Sequence, residues 1–176
     1  KYVTRRKGML TSNVGEAGSF FHTSVDDIAP QMEMITAPVY FFQHGAASYD
    51  KTAIAIGLSM VGARSEGAVR LRSADPAAAP RICNNYFADP RDMQSMIDGI
   101  ERAREVMASR TMRGTVGKEI HPGPSYGTSR TDLERAVRAE VEHTYHPSCT
   151  ARIGVEGEGV LDAALRVQGV TGLRVA

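Results

Sequence analysis

Hydrophobic positions along this chain change their period once, and the change divides it. Over residues 18–72, short runs rich in aromatic and β-branched residues alternate with turn formers such as Asp26-Asp27 and His44-Gly45, a pattern that predicts strands. Gln31-Met32-Glu33-Met34 alternates with period two, and so does Ala68-Val69-Arg70-Leu71-Arg72. Successive side chains of a strand point to opposite faces, which puts Val69 and Leu71 on one face and Arg70 and Arg72 on the other. A sheet wetted on one side is more often antiparallel than parallel. The nearly apolar residues 52–63 read as a buried strand, far short of the ~20 residues that span a bilayer. The proline-bounded segment 73–80, SADPAAAP, is a loop expected to separate the strands from the helices.

Beyond it the period becomes helical. Asp89 is placed to cap a helix whose first residue is Pro90. Met93, Met96, Ile97, Ile100 and Met107 recur at spacings of three, four or seven, which makes one apolar stripe. The opposite face carries Asp98, Glu101, Arg102, Arg104 and Glu105, with Asp98 and Arg102 as an i,i+4 pair, and it reads as a solvated face. A second helix follows His121-Pro122-Gly123-Pro124. Thr131 and Glu134 match a capping box, and Leu133, Ala136, Val137 and Val141 supply the buried stripe. It is expected to stop near His143, because Pro147 disfavours a helical His146. Gly-punctuated short apolar runs fill residues 159–176.

Composition narrows the class. With 42% hydrophobic and 23% charged residues, 176 residues can build one ordinary core. Lysine and arginine number 21 against 20 acids, a net charge of +1, which argues against a nucleic-acid or other polyanion binder. Two distant cysteines, Cys83 and Cys149, do not make a disulfide scaffold and fit a reducing, cytoplasmic location. No transmembrane segment is expected. The chain lacks an initiator methionine and an apolar leader segment, so it reads as a piece of a longer polypeptide.

Candidate chemistry is sparse. Neither glycine fingerprint for phosphate is present; Gly154, Gly157 and Gly159 come nearest, but follow no strand and open no helix. Of five histidines, only His143-x-x-His146-x-x-Cys149 forms a constellation. Zinc accepts such ligands, although a structural site needs a fourth. A Cys149–His146 nucleophile pair lacks an orienting acid. On composition alone, His146 capping the end of the preceding helix is the plainest interpretation. Glu16 is a further candidate: a carboxylate near aromatic faces suits a quaternary ammonium group, and Phe20, Phe21, Tyr40, Phe41 and Phe42 could supply the rings.

The tract GAVRLRSADPAAAP (residues 67–80), the run Asn85-Tyr86-Phe87-Ala88-Asp89-Pro90-Arg91-Asp92 and the ending HPSCTARIG (146–154), with Gly159-Val160-Leu161-Asp162 and LRVQGVTGLRVA (165–176), resemble the carboxy-terminal half of the glucose–methanol–choline (GMC) flavoprotein oxidoreductases. The opening GMLTSNVGEAGSF (8–20) is similar to the stretch that leads into the family's substrate domain. The resemblance spans essentially the whole chain and is strongest to choline-dehydrogenase-like members. It implies an α+β fold, a largely antiparallel sheet with helices packed on one face. Residues 1–158 would form the substrate-binding domain, and residues 159–176 the start of the return into the FAD-binding domain. The cofactor would be FAD, the substrate a small-molecule alcohol, and the partner the FAD-binding portion of the same enzyme or a companion chain.

In the family the histidine of the His-Pro motif faces the flavin and acts on the substrate hydroxyl, which corresponds to His146. Transfer of a hydride from an alcohol carbon requires the O–H proton to leave, and a neutral imidazole near pH 7 can accept it. On the same resemblance Tyr145 belongs with the substrate, and Pro147 and Ala176 with the flavin. The family motif has glycine where Cys149 stands and methionine where Ile153 stands, differences that bear on backbone geometry and substrate fit. His143 is expected to sit a helical turn earlier and to tolerate replacement. Two other functions share the resemblance or the composition: a flavin-fold lyase acting on hydroxynitriles, with the same histidine as acid and base, and a catalytically silent binding module.

Overall fold

The computed structural model describes residues 2–24 and 28–176, so the turn expected at Asp26-Asp27 lies outside the described residues. The chain forms two compact units, residues 1–66 with 86–142, and residues 67–85 with 143–176.

The first unit opens with a single helical turn, α1 (Tyr2–Arg5), and then builds an antiparallel sheet in the order β1 (Ala17–Phe21), β2 (Met32–Ala37), β3 (Ala55–Met60). Met34 stands opposite Ser19 on one side and Leu58 on the other. The alternation expected at residues 31–34 holds over 32–34, where Met32 and Met34 are buried and Glu33 is half-buried between them, but fails at Gln31, which is buried as well. Residues 52–63 do contain a strand, but it is half-buried rather than buried. Among the described residues β3 is an edge of its sheet, which exposes one flank of the strand to water. His44-Gly45 is a turn, with both residues at positive φ.

Helix α2 (Pro90–Ala108) lies against β2 and β3. Asp89 caps it by accepting from the Arg91 N–H, and Pro90 occupies the first turn, where no hydrogen bond is lost. Gly99 lets the helix approach the sheet: a Cβ there would sit 3.0 Å from Met32 Cε. Helix α3 (Arg130–Glu140) packs on α2. Met93, Ile97, Leu133 and Val137 form the shared core, ringed by Phe87, Met96, Ile100 and Val141.

The capping box of α3 lies two residues earlier than expected. Ser129 Oγ accepts from the Asp132 N–H, and the Asp132 carboxylate accepts from the Ser129 N–H. Both pairs fit an S/T-x-x-acid pattern, and shorter Asp132 reaches back as well as Glu134 would. The charged face of α2 is not simply solvated either. Arg130 bonds Asp98 at 2.7 Å, Glu101 at 2.6 Å and Gln94 at 3.0 Å, so Asp98 pairs across the helices rather than with Arg102, which meets Glu105. Asp92, 3% exposed, turns inward and accepts from the backbone N–H groups of Arg64 and Ser65 at 3.0 and 2.7 Å. That carboxylate ties the loop after β3 to the first turn of α2.

In the second unit β4 (Ala68–Arg70) pairs antiparallel with β5 (Arg81–Cys83). Residues 73–80 therefore join two strands instead of separating strands from helices; three residues at β5 are too few to display a period. Val69 stands opposite Ile82, yet Val69, Leu71 and Ile82 are 50%, 87% and 67% exposed, so the apolar face expected to be buried lies open. Leu161 is buried, and isolated bridges join it to Ile153 and Val167, and Arg166 to Arg174. Gly154 and Gly159 touch backbone to backbone, where a Cβ on Gly159 would lie 2.4 Å from the Gly154 nitrogen. Their role is close packing. Among the described residues no helix is long and apolar enough to cross a membrane.

Candidate active site

Helix α3 ends at Glu140, with Val141 as C-cap, earlier than the expected stop near His143. Its last turn is closed by the Val141 N–H on the Val137 carbonyl, and the six residues that follow are irregular. His146 thus lies five residues past the cap and does not cap the helix. His143 is likewise off the helix.

His143 and Tyr145 instead hold one another. The Tyr145 N–H donates to His143 Nδ1 at 3.3 Å, and the rings meet edge to face, 4.4 Å apart at 82°. Tyr145 has φ +62° and Cys149 φ +69°, so two residues in the left-handed region bracket His146, Pro147 and Ser148. This region is uncommon for residues with a Cβ and is enriched at functional sites, although Arg6, Val14 and Leu165, among others, adopt it here too. His146 is exposed, and among the described residues its imidazole has no hydrogen-bond partner. Tyr145, Pro147 and Ala176 are also exposed. Among the described residues no group of three or more His, Cys, Asp or Glu side chains is placed to hold a metal. Residues 166–174 wall an open concavity of about 640 Å³, to which neither Tyr145 nor His146 contributes.

Glu16 lies in the first unit just before β1, its exposed residue joined to the sheet by its N–H on the Thr36 carbonyl. Of the five rings proposed around it, four are divided among different surroundings. Phe20 is 62% exposed. Phe21, on the opposite face of β1, borders a concavity with His22, Asp98 and Glu101. Tyr40 and Phe42 join a different group. Tyr40 stacks on Tyr49, Phe42 stacks on His121 at 3.8 Å, and the Tyr40 hydroxyl shares a 3.0 Å hydrogen bond with His121 Nε2. Tyr49 and His121 are distant in sequence, and no local pattern points to them.

The profile of the GMC oxidoreductase family matches residues 63–176, which include the whole His146 loop. The chain belongs to the GMC oxidoreductase family. It is 35% identical to an alcohol dehydrogenase [acceptor] of Pseudomonas putida over 99% of this chain and 31% of that protein. It is 33% identical to an oxygen-dependent choline dehydrogenase of Paraburkholderia phytofirmans over the same shares of each. Among solved structures, a formate oxidase of Aspergillus oryzae, studied for modification of its FAD, superposes with a TM-score of 0.74 at 28% identity, covering 84% of this chain and 26% of the oxidase. A fungal aryl-alcohol oxidase superposes at 0.61 and 27% identity, over 84% of this chain and 23% of its own. This GMC chain thus spans about a third of the length of the curated relatives it matches.

Proposed function

We propose that this GMC chain forms the substrate side of an FAD-dependent alcohol oxidoreductase, with His146 as the proton acceptor. Its exposed imidazole, without a described partner and bracketed by two left-handed residues within the family-matched region, is the observation that carries this function. Oxidation of an alcohol removes a hydride from carbon and a proton from oxygen. A bound flavin supplies the hydride acceptor. His146 takes the hydroxyl proton, so that the carbon–oxygen double bond forms as the O–H bond breaks. Tyr145, next in the chain, offers an exposed ring and hydroxyl to the substrate, and Pro147 limits the backbone on the other side. Pro147 and Ala176 are assigned to the flavin side and Glu16 to the substrate side. Residues 1–158 serve as the substrate-binding domain, and residues 159–176 lead back toward the FAD-binding domain.

The open apolar ribbon of Val69, Leu71 and Ile82 supports a partner surface on the second unit, met by the FAD-binding portion of the same enzyme or a companion chain. Two exposed, unbridged cysteines support a cytoplasmic location. The test uses the intact flavoenzyme. His146→Ala should lower turnover by ~10²–10⁴-fold, the usual contribution of a positioned acid or base, with flavin content within error of wild type. Anaerobic addition of the alcohol should bleach the wild-type flavin. Turnover of a hydroxynitrile with the flavin fully coloured throughout would replace oxidation by the lyase reaction.

A further inference from the structure

His143 is not among the residues assigned above to substrate, proton or flavin, yet its ring makes the described contacts that shape the turn before His146. The bond from the backbone N–H of residue i+2 to a side-chain acceptor at residue i is the pattern of an Asx turn. Here the imidazole Nδ1 of His143 replaces the usual Asn or Asp oxygen and receives the Tyr145 N–H at 3.3 Å. The acceptor must be a bare lone pair, which places the ring proton of neutral His143 on Nε2.

Tyr145 needs such support. It has φ +62°, an uncommon conformation for a bulky aromatic residue, and it is 62% exposed, so burial does not hold it there. The edge-to-face contact at 4.4 Å adds a second hold from the same imidazole. His146 follows Tyr145 directly and has no described side-chain partner of its own. The direction of its ring is therefore inherited from the backbone that His143 fixes.

We infer that His143 is a positioning residue for His146: by closing an Asx-like turn on the Tyr145 N–H it aims the proton-accepting imidazole. This rests on the assignment of His146 as proton acceptor. It also reverses the expectation that His143 tolerates replacement, which assumed a site on the helix.

The experiment uses the intact, flavin-loaded enzyme and follows anaerobic flavin reduction by alcohol in stopped flow. Four variants are compared: His143→Asn, which supplies an acceptor oxygen for the same turn; His143→Leu, which supplies none; His143→Gln, whose acceptor is one methylene too far out; and His146→Ala. Misplacement of a reacting group by about 1 Å costs on the order of 100-fold. The Leu and Gln variants should therefore reduce flavin about 10–100-fold more slowly, with flavin content and alcohol Kd within about twofold of wild type. Asn should restore the rate to within about threefold. Leu or Gln reacting like wild type while His146→Ala is impaired would overturn the positioning role and leave the proton acceptor standing. Asn as slow as Leu would overturn it too, since any effect would then come from ring packing. A harmless His146→Ala would overturn the proton-acceptor assignment itself, and the positioning role with it. Loss of flavin or of cooperative unfolding in Leu leaves the comparison of Asn with Gln, both polar, to decide by the same criterion.

Discussion

At Cys149 a residue with a Cβ occupies a conformation that suits glycine. Its φ of +69° costs roughly 1–2 kcal/mol for an L-residue with a side chain, whereas glycine enters the same region freely. Replacing Cys149 by glycine removes that cost but gives the unfolded chain more freedom, worth about 0.5–1 kcal/mol. Cys149→Gly should therefore stabilise by about 0.5–1 kcal/mol net, and Cys149→Ala should not; a pair of denaturation curves checks both. No gain in the glycine variant would mean that the loop relaxes without it. The glycine of the family motif at this position was legible from the sequence. The left-handed backbone was legible only through that comparison, because nothing in Ser148-Cys149-Thr150 requires it. The same holds for His143. Its spacing to His146 suggested a metal pair, whereas the contact that forms is with Tyr145, two residues on, and i,i+2 contacts depend on a loop conformation that sequence does not encode locally.

Helices were the most legible elements, since their start signals are local. Asp89-Pro90 opens α2 as expected, and the stripe of Met93 and Ile97 is buried against Leu133 and Val137. What escaped was tertiary. Arg130 bridges Asp98 and Glu101 from another helix, and Asp92 turns a polar position into a buried anchor. Neither partner lies within one helical turn. Gly99 is a third case: mid-helix glycine looks like a defect, and replacing it by alanine should gain about 1 kcal/mol of propensity. The new Cβ would meet Met32 Cε at 3.0 Å, and Met32 is fully buried, with little room to yield. Overpacking of this kind costs about 1–3 kcal/mol. Gly99→Ala should thus destabilise by about 1 kcal/mol, and a stabilised variant would show that α2 can lift from the sheet at no cost.

The helix caps also set an acid limit. Hydrogen bonds from the Arg91 side chain and backbone hold the Asp89 carboxyl down to about 2, below its usual 3.8. Asp132 is lowered by the Ser129 hydroxyl and Arg135, and Asp162 by the Arg166 backbone N–H and side chain. The unfolded chain takes up these protons at higher pH than the folded one. Their stabilisation is therefore complete above the ordinary carboxylate range and is lost as pH falls through the depressed values. For Asp89 the window runs from 3.8 down to about 2. Asn caps helices about as well as Asp, so Asp89→Asn should keep the cap and flatten the stability–pH curve in that window. An unchanged slope in the variant, measured by denaturation at stepped pH, would assign the acid loss to other carboxylates.

Over the whole molecule, the class of fold was legible because antiparallel strands and amphipathic helices each have their own period, but the division into units was not. Residues 67–85 join residues 143–176 through contacts between segments far apart in sequence, which leave no periodic trace. The same scale bears on the proposed flavin. A flavin dinucleotide is held chiefly by backbone N–H groups or a helix N-terminus turned toward its pyrophosphate. Among the described residues, several such donors are engaged. The Gly154 N–H is spent on the Leu161 carbonyl, and those of Gly159 and Val160 on the Val155 and Arg152 carbonyls. The N-terminus of α2 is capped by the Asp89 carboxylate and that of α3 by the Ser129 hydroxyl, with the Asp132 carboxylate accepting from the Ser129 N–H, and the negative charges of Asp89 and Asp132 oppose a phosphate. Purified as 176 residues, the chain should therefore lose FAD on desalting and show no flavin absorbance at stoichiometric protein, while the intact enzyme keeps its cofactor. Stoichiometric flavin surviving desalting of the isolated chain would place a phosphate site within residues 1–176 and move the cofactor-binding role into this segment.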